Sequence, residues 1–440
     1  MRVVISSGHS RFVRGAVGAL DEVNEARRVV PRVAHYLRAA GAQVKANRGG
    51  AGVDGVSIAA IEKDLKRNLY KVWNRMSSGT YFPPPVRLVE IPKSDGKSVR
   101  KLGIPAIGDR VAQTVAKMVL EPKVEPIFHP DSYGYRPGRS ALDAVGKARE
   151  RCWKFNWVID LDIKSFFDTI PWDLIEKAVA HHTELGWVRL YVKRWLQAPV
   201  ELKDGTREER TRGTPQGSVI SPVLLNLFMH YAFDFWMQRT FPRLCFERYA
   251  DDTIVHCRSE TEAKAVLEAI RNRLAECGLE LHPEKTRIVY CKDGKRNAGY
   301  EHISFDFLGY TFRPRKARDR MGESFLRFLP AISRKAATIV RQTIREWRMA
   351  STRNNQSLEE LAKLIDPAVR GWLNYYGRYY RSECIRVLRH INEALARWVR
   401  WKYKRFKRRK TAARHWLGRL AKRAPDLLYL WKVGDLAPWL

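Results

Sequence analysis

The spacing of apolar residues changes along the chain and separates strand-like from helix-like segments. Residues 157–163 (WVIDLDI) form a short apolar run that predicts a buried strand, and residues 219–241 are apolar over a length that predicts a buried helix. Residues 246–257 (FERYADDTIVHC) contain two strand-like runs around an Ala-Asp-Asp sequence. This pattern predicts a β-hairpin with two acidic residues at its turn.

Other segments have equally distinct patterns. Residues 81–105 predict two strands around a turn at Asp95-Gly96, whereas residues 58–79 and 141–153 have apolar residues at helical spacing. From about residue 325 onward the pattern is helical and more basic, with no strand signal of comparable length. We therefore expect a separate all-α region in the C-terminal part of the chain.

The first 44 residues differ in character from the rest. VVIS near the N-terminus predicts a short strand, and the amphipathic stretch that ends at Gly41 predicts a helix. Residues 1–44 therefore have the pattern of a βα unit from another kind of domain.

Composition narrows the class of partner. Lys and Arg number 81 against 47 Asp and Glu, which gives a formal net charge of +34 and favours a polyanionic partner such as nucleic acid. No apolar run approaches the roughly 18–20 residues of a membrane-spanning helix, so we expect no membrane association. The six cysteines include no CxxC pair, and no secretory signal precedes them, which predicts a cytoplasmic protein.

Three carboxylates are the strongest candidates for chemistry. Asp162 ends the apolar strand, and Asp251 and Asp252 lie in the predicted hairpin turn. Nucleotidyl transfer needs two closely spaced metal ions, and Mg²⁺ prefers such hard oxygen ligands. A pair of aspartates in a turn is more often simply solvated, but here apolar and aromatic neighbours would desolvate the carboxylates. The three can act together only if the fold pairs their strands.

Several strings in this sequence occur in the order and spacing of known polymerase motifs. In chain order these strings are IPKSDGKSVRKLGIP, DIKSFFDTI, TPQGSVISPVLLNLF, RYADD, LHPEKT and FDFLGY. In this respect the chain resembles group II intron reverse transcriptases with a maturase domain, from about residue 45 to its C-terminus.

The resemblance implies an α+β fold. Residues 45–320 would form the fingers and palm of a right-hand polymerase with an antiparallel palm sheet, and residues 321–440 an all-α thumb/maturase (X) domain. Residues 1–44 resemble the start of a zinc-dependent N-acetylmuramoyl-L-alanine amidase, with His9 and Glu22 as metal ligands. His35 is the remaining histidine nearby and lies within the predicted helix, so we interpret the segment as an inactive remnant.

The resemblance also implies roles for individual residues. Asp162, Asp251 and Asp252 match the catalytic ligands of two Mg²⁺ ions, with Asp160 as the competitor of Asp162 on the same strand face. Phe166 and Phe167 match residues that crowd the nucleotide 2′-position, although core packing is an alternative for both. The full set of implied nucleotide-binding residues is Lys93, Arg100, Phe166, Phe167, Gln216, Gly217 and Lys285.

Basic and aromatic residues are interleaved near the C-terminus. Twelve Lys or Arg residues lie from Arg400 to Arg423, and this run resembles the RNA-binding part of the maturase domain. The implied RNA-binding residues are Arg400, Lys402, Lys404, Arg405, Lys407, Arg408, Arg409 and Lys410. Trp372, Tyr375, Tyr376 and Tyr379 recur at helical spacing, so core packing is the alternative for these four.

The expected function is RNA-directed DNA synthesis combined with assistance of intron splicing. The expected partners are group II intron RNA, a DNA target and primer, and deoxynucleoside triphosphates, whereas the sequence does not define an oligomeric state. Two alternatives stay open. One is a splicing cofactor with little polymerase activity, and the other is a zinc-dependent cell-wall amidase, against which the lack of a third zinc ligand in this segment argues.

Overall fold

The computed structural model describes residues 39–45, 49–92, 99–318 and 321–434. Residues 39–45 are helical, and the helices that follow are α1 (Ile58–Lys63), α2 (Leu65–Ser77), α3 (Ile107–Val124), α4 (Ala141–Cys152), α5 (Phe166–Thr169), α6 (Trp172–His182), α7 (Gly186–Gln197), α8 (Ser221–Met229), α9 (Phe235–Thr240), α10 (Glu260–Glu276), α11 (Arg334–Glu346), α12 (Met349–Thr352), α13 (Leu358–Tyr376), α14 (Arg381–Lys402), α15 (Lys410–Arg423) and α16 (Tyr429–Lys432). The strands are β1 (Val86–Pro92), β2 (Val99–Ile104), β3 (Trp157–Leu161), β4 (Val200–Glu201), β5 (Arg207–Glu208), β6 (Cys245–Tyr249), β7 (Asp252–Cys257), β8 (Arg287–Tyr290), β9 (Phe305–Phe307), β10 (Tyr310–Arg318) and β11 (Ser324–Ile332).

Some predicted features fall outside the described residues. These are the amidase-like residues His9, Glu22 and His35, the nucleotide-binding candidate Lys93, and the turn at Asp95-Gly96. The two strands on either side of that turn are described. β1 and β2 pair antiparallel, with Ile91 opposite Arg100, so the predicted strand pair is confirmed.

The first sheet has the order β2-β1-β4-β5 and mixes antiparallel and parallel pairs. A second sheet, the central sheet, has the order β6-β7-β3-β8, and every strand pair in it is antiparallel. The predicted strand at residues 157–163 and the predicted hairpin at residues 246–257 are therefore confirmed, and they are hydrogen-bonded to each other as β3 and β7.

Both faces of the central sheet are buried. Because side chains alternate along a strand, Ile159 packs into one core with α6, α8 and α10, while its neighbour Val158 packs into another with α4. This two-sided burial explains why β3 is apolar along nearly its whole length. The capping box between Ser140 and Asp143 fixes the start of α4, which covers the second face.

A third sheet corrects one expectation. Residues 324–332 form β11, which pairs with β10 over its full length, whereas the sequence pattern predicted helix from about residue 325. The stretch was misread because its partner strand, not its own periodicity, stabilises it. The predicted domain boundary at residues 320 and 321 falls inside this β10–β11 hairpin.

Helices α11 to α16 form the helical unit, whose own apolar core begins at Ile332. Ser357 and Glu360 form a capping box at the start of α13, and the Trp431 ring nitrogen donates a 3.0 Å hydrogen bond to Asn392 in the interior. The predicted helical character of this part of the chain is confirmed from α11 onward.

The helical unit is attached to the sheets through the C-terminal end of α13. The Tyr375 hydroxyl donates a 2.8 Å hydrogen bond to the Leu308 carbonyl, and the Tyr379 hydroxyl donates a 2.6 Å bond to the Leu142 carbonyl at the start of α4. Tyr376 packs beside Gly309. These half-buried tyrosines thus pack at the junction, as the core-packing alternative predicted.

Two further features concern the whole described chain. Across the four described ranges, no helix is long and apolar enough to cross a membrane. All six cysteines carry free thiols, and five of them are buried.

The helical core offers a matched test of burial. Trp398 is fully buried, and its ring nitrogen donates a 3.1 Å hydrogen bond to the Arg353 carbonyl, whereas Trp401, on the same helix α14, is 70% exposed. Trp398→Ala should lower the free energy of unfolding by about 3–5 kcal/mol, and Trp401→Ala by less than about 0.5 kcal/mol. Urea unfolding followed by circular dichroism would measure both, and equal losses would contradict this assignment of the core.

Candidate active site

Strand pairing collects the three candidate carboxylates at one end of the central sheet. Leu161 at the end of β3 lies opposite Thr253 in β7. Asp162, which follows Leu161, and Asp252, which precedes Thr253, therefore lie at the same end of these two strands. Asp251 lies in the turn between β6 and β7. The condition for these residues to act together, that the fold pairs their strands, is met.

The electrostatic environment of these groups is unfavourable for negative charge. Burial, together with the neighbouring carboxylate of Asp251, raises the pKa of Asp252 to about 7. Burial also raises the pKa of Asp251, to which the charge of Asp162 contributes, while Arg100 and Arg248 act in the opposite direction. Carboxylates placed together in this way need a compensating cation to be fully ionised.

Lys285 provides one such cation. Its ammonium group lies 2.9 Å from a carboxylate oxygen of Asp162, and both side chains are largely exposed. Within the described residues, no group of three or more His, Cys, Asp or Glu side chains is close enough together to hold a metal ion. The three aspartates lie at the same end of the strands without forming a closed ligand cluster, and Lys285 neutralises Asp162 there.

The competitor, Asp160, lies within strand β3 rather than at its end. It pairs with Ile254 on one side and with Arg287 on the other. Burial raises its pKa well above the usual range, and the carboxylates of Asp252 and Asp306 add to this effect. Burial thus disfavours the charged form of Asp160, whereas Asp162 is partly exposed and paired with a cation.

Arg248 holds the acidic turn in place, and the sequence analysis did not identify it. The residue is fully buried in β6, and its guanidinium binds both carboxylate oxygens of Asp234 at 2.7 and 2.6 Å. It also donates to the Ala250 carbonyl at 3.0 Å, to Asn226 at 3.1 Å and to Ser132 at 2.8 Å. One side chain thereby joins the turn to three other parts of the chain.

The segment around Gly134 forms a second support for this turn. A Cβ atom on Gly134 would lie 2.4 Å from the Ala250 nitrogen, so only glycine permits this approach. The Asn226 side chain donates a 2.7 Å hydrogen bond to the Gly134 carbonyl. The next residue, Tyr135, has a positive φ of 57° and places a half-exposed ring beside Tyr249.

The two adjacent phenylalanines have different environments. Phe166 is only 2% exposed and belongs to the core, whereas Phe167 is partly exposed and packs against the outside of the same core. The core alternative therefore describes Phe166 fully and Phe167 in part. Phe167 retains an accessible ring surface, which a ligand can contact.

The predicted nucleotide-binding turn packs against the first sheet. The Gly103 amide donates a 2.7 Å hydrogen bond to the Gln216 carbonyl, and Gly217 has a φ of +109°. A Cβ atom on Gly217 would lie 2.6 Å from the Gly103 carbonyl oxygen. Arg100, on the same strand as Gly103, is exposed. The strand that carries Arg100 therefore packs against the turn that carries Gln216 and Gly217.

Comparison with known proteins adds to this geometry. Residues 91–312 match the reverse transcriptase (RNA-dependent DNA polymerase) family, and residues 337–416 match the group II intron, maturase-specific domain. Protein YkfC of Escherichia coli (strain K12) is 31% identical over 316 residues, which cover 62% of this chain and 77% of that protein. The group II intron-encoded protein LtrA of Lactococcus lactis subsp. cremoris is 29% identical over 214 residues, 47% of this chain.

The chain belongs to the group II intron-encoded reverse transcriptase/maturase family. The matched region covers only 34% of LtrA and likewise 34% of the putative COX1/OXI3 intron 2 protein of Saccharomyces cerevisiae, which is 27% identical over 308 residues. Neither family match includes residues 1–44.

The basic run lies at the junction of two helices of the maturase part. Lys402 donates hydrogen bonds to the backbone carbonyls of Asn355 and Gln356, so its ammonium group is used within the fold. Arg400 is also partly buried. The exposed members of the predicted RNA-binding set are Lys404, Arg405, Lys407, Arg408, Arg409 and Lys410.

The buried ion pair can be tested by charge removal. Arg248→Met should lower the free energy of unfolding by about 3–5 kcal/mol, because it leaves the buried carboxylate of Asp234 without a partner. Adding Asp234→Leu should restore part of this loss, but not the bonds to Ser132, Asn226 and Ala250.

Urea unfolding would measure these changes. Arg243→Met is the control, because Arg243 is exposed in the loop before β6. If Arg248→Met cost no more than the control, Arg248 would not hold the turn as described.

Proposed function

We propose that this reverse transcriptase transfers nucleotides from deoxynucleoside triphosphates to a primer 3′-hydroxyl on an RNA template. One observation carries the proposal. Asp162, Asp251 and Asp252 lie at one end of the paired strands β3 and β7, inside the region that matches reverse transcriptases. The raised pKa of Asp252, about 7, fits a carboxylate that works beside a bound cation.

The chemistry of the donor set suits magnesium, and the binding of the ions would draw the three carboxylates closer together than they lie here. We assign Asp162, Asp251 and Asp252 as the catalytic residues and the ligands of two Mg²⁺ ions, because carboxylate oxygens are hard ligands and these three repel one another. When bound, such ions lower the pKa of the attacking hydroxyl and stabilise negative charge on the leaving pyrophosphate. Lys285 now neutralises Asp162, so metal binding at Asp162 would replace that ion pair.

The cations around this edge would restrain the triphosphate. Arg100 lies near enough to Asp251 to lower its pKa, and we assign it, together with Lys93, to the phosphates of the incoming nucleotide. Lys285, once separated from Asp162, would donate a proton to pyrophosphate or contact the template. Both roles require only the exposed ammonium group that the lysine already has.

The remaining contacts would select the nucleotide. Gln216 and Gly217 would line the base and template, because the turn approaches β2 without an intervening side chain. Phe167 would crowd the sugar 2′-position, whereas the buried Phe166 would support it from the core. This arrangement would favour deoxynucleotides over ribonucleotides.

In this proposal the first sheet acts as fingers, the central sheet as palm and the helical unit as thumb. Residues 45–320 and 321–440 would be the polymerase and thumb/maturase domains, and residues 1–44 an inactive amidase-like segment. We further propose that the protein acts in the cytoplasm on intron RNA, a DNA target and its primer.

The maturase-specific match supports a second activity. The six exposed cations from Lys404 to Lys410 would neutralise phosphates of the intron RNA and assist splicing. If this activity were the main one, the chain would be an RNA-binding splicing cofactor with little polymerase activity. The polymerase assay below separates the two.

Asp162 and Asp160 can be distinguished by isosteric substitution. Asp162→Asn should reduce Mg²⁺-dependent dTTP incorporation on poly(rA)/oligo(dT) at least about a hundredfold, because several kcal/mol of charge stabilisation depend on a metal ligand. Asp160→Asn should leave the rate close to wild type, since Asp160 lies within the sheet, where burial raises its pKa and disfavours its charged form. The opposite ranking would transfer the role to Asp160. No incorporation by folded wild-type protein would leave only the splicing function.

The two phenylalanines can be separated by sugar selectivity. Phe167→Val should raise the ratio of kcat/KM for rUTP to that for dTTP by about ten- to a hundredfold, because it opens space at the 2′-position. Phe166→Val is the control: it should lower thermal stability through a cavity in the core without changing this ratio. A ratio that moves only with Phe166→Val would reverse the assignment.

A further inference from the structure

A groove of about 610 Å³ lies between the end of α4, the β10–β11 hairpin and the segment that leads into α14. Trp153, one of its lining residues, precedes β3, whereas Asp162 follows β3. A five-residue strand spans about 16 Å, so the groove and the candidate active site lie at opposite ends of this strand. No residue assigned above to catalysis, nucleotide binding or RNA binding lines the groove.

The lining of the groove is strongly cationic. Five of its residues are Arg or Lys, and none is acidic. Among the described residues, no carboxylate forms an ion pair with four of these cations, which are Arg149, Lys316, Arg318 and Arg327. Cations concentrated in a concave surface without counter-charges favour an anionic ligand.

Arg149 has unused hydrogen-bonding capacity. Its Nε atom is buried and has no hydrogen-bond partner, which is rare for a buried donor. Burial lowers the pKa of Arg149, and the positive charge of Arg327 adds to this effect. An anion in the groove would offset both the desolvation and the repulsion between the two guanidinium groups.

The groove also offers fixed planar surfaces. The guanidinium groups of Arg149 and Arg327 lie 4.5 and 3.9 Å from the centre of the Trp153 ring, whose nitrogen donates a 3.0 Å hydrogen bond to the Phe328 carbonyl. The Tyr380 hydroxyl is likewise held by a 2.8 Å bond to the Lys316 carbonyl. These rings and guanidinium planes are held in position before any ligand arrives.

An exposed ring lies beside these fixed groups. Phe325 is 38% exposed, and the guanidinium of Arg327 lies 5.9 Å from its ring centre. Cations alone would accept any polyanion, but planar groups between them favour unpaired bases, which stack on aromatic rings and guanidinium planes. A double helix would present phosphates without free base faces.

We propose that this groove binds a single-stranded stretch of RNA. Bases stack on Phe325 and on the guanidinium planes that flank Trp153, and the phosphates lie against Lys316 and Arg318. The assignment relies on the proposed function only in taking RNA, rather than DNA, as the occupant. It gives the protein an RNA contact separate from the polymerase site.

The test compares two charge-matched double variants of the full chain. Arg149→Gln with Arg327→Gln alters the groove, and Lys264→Gln with Arg271→Gln removes the same charge from the exposed surface of α10. The Kd for a fluorescent RNA of about ten unpaired nucleotides would be measured by anisotropy at physiological salt. A base-paired RNA of the same length serves as the second probe.

The groove variant should weaken single-strand binding by about tenfold or more, and the α10 variant much less, because only the former loses stacking planes as well as charge. Duplex binding should fall equally in both. A 4-thiouridine RNA should crosslink to peptides that contain Trp153 or Phe325. Equal single-strand losses in the two variants, or no crosslink to these peptides, would overturn the proposal.

Two further outcomes distinguish neighbouring interpretations. The groove variant could lose duplex binding as strongly as single-strand binding, while the α10 variant loses neither to that extent. The groove would then bind duplex RNA, and the single-strand assignment would be wrong. DNA synthesis on poly(rA)/oligo(dT) should be unchanged in the groove variant. Wild-type protein that lacks synthesis but retains groove-dependent binding would remove the polymerase proposal and leave this one intact.

Discussion

The buried ion pair between Arg248 and Asp234 determines where the candidate active site can form. Asp234 ends a π-helical turn between α8 and α9, and Arg248 lies in β6 directly before the acidic turn. Either charge alone would be strongly unfavourable at full burial, so helix and strand must remain in register with each other. The Arg248 bond to the Ala250 carbonyl extends this constraint to the turn itself. The position of Asp251 and Asp252 therefore depends on a contact outside the site.

The site collects negative charge in a protein that is otherwise strongly positive. With +34 overall, the field draws polyanions toward the surface, while Asp251 and Asp252 repel each other at the sheet edge. Lys285 and Arg100 partly balance the local charge. The raised pKa of Asp252 reflects first its burial and then the neighbouring carboxylates that are not balanced. A polyanionic substrate can approach such an edge only if cations accompany it or are already bound.

How far sequence could predict this structure depends on the range of the interactions involved. β3 and the hairpin of β6 and β7 were predictable because their apolar patterns are local, and so was the edge position of Asp162. β11 was not, because its pairing with β10 is a tertiary contact. Arg248 was missed since a charged residue in a strand suggests a surface position, although an arginine between buried neighbours requires a partner. The separation of Phe166 from Phe167 depends on how the short helix α5 turns, which spacing alone does not define.

The aromatic residues of α13 show why composition could not distinguish packing from binding. Their rings are placed at helical spacing, as a stacking surface would require, yet the hydroxyls of Tyr375 and Tyr379 bind backbone carbonyls next to β10 and at the start of α4. The Leu308 carbonyl accepts from Tyr375, and the Leu308 backbone lies near enough to Asp252 to lower its pKa, so one peptide segment adjoins both the helical unit and a candidate metal ligand. Leu308 has a positive φ of 50° and is followed by Gly309, on which Tyr376 packs. The helical unit cannot shift at this junction without moving the backbone beside Asp252. Its aromatic stripe therefore contributes to the geometry of the site through packing within the protein.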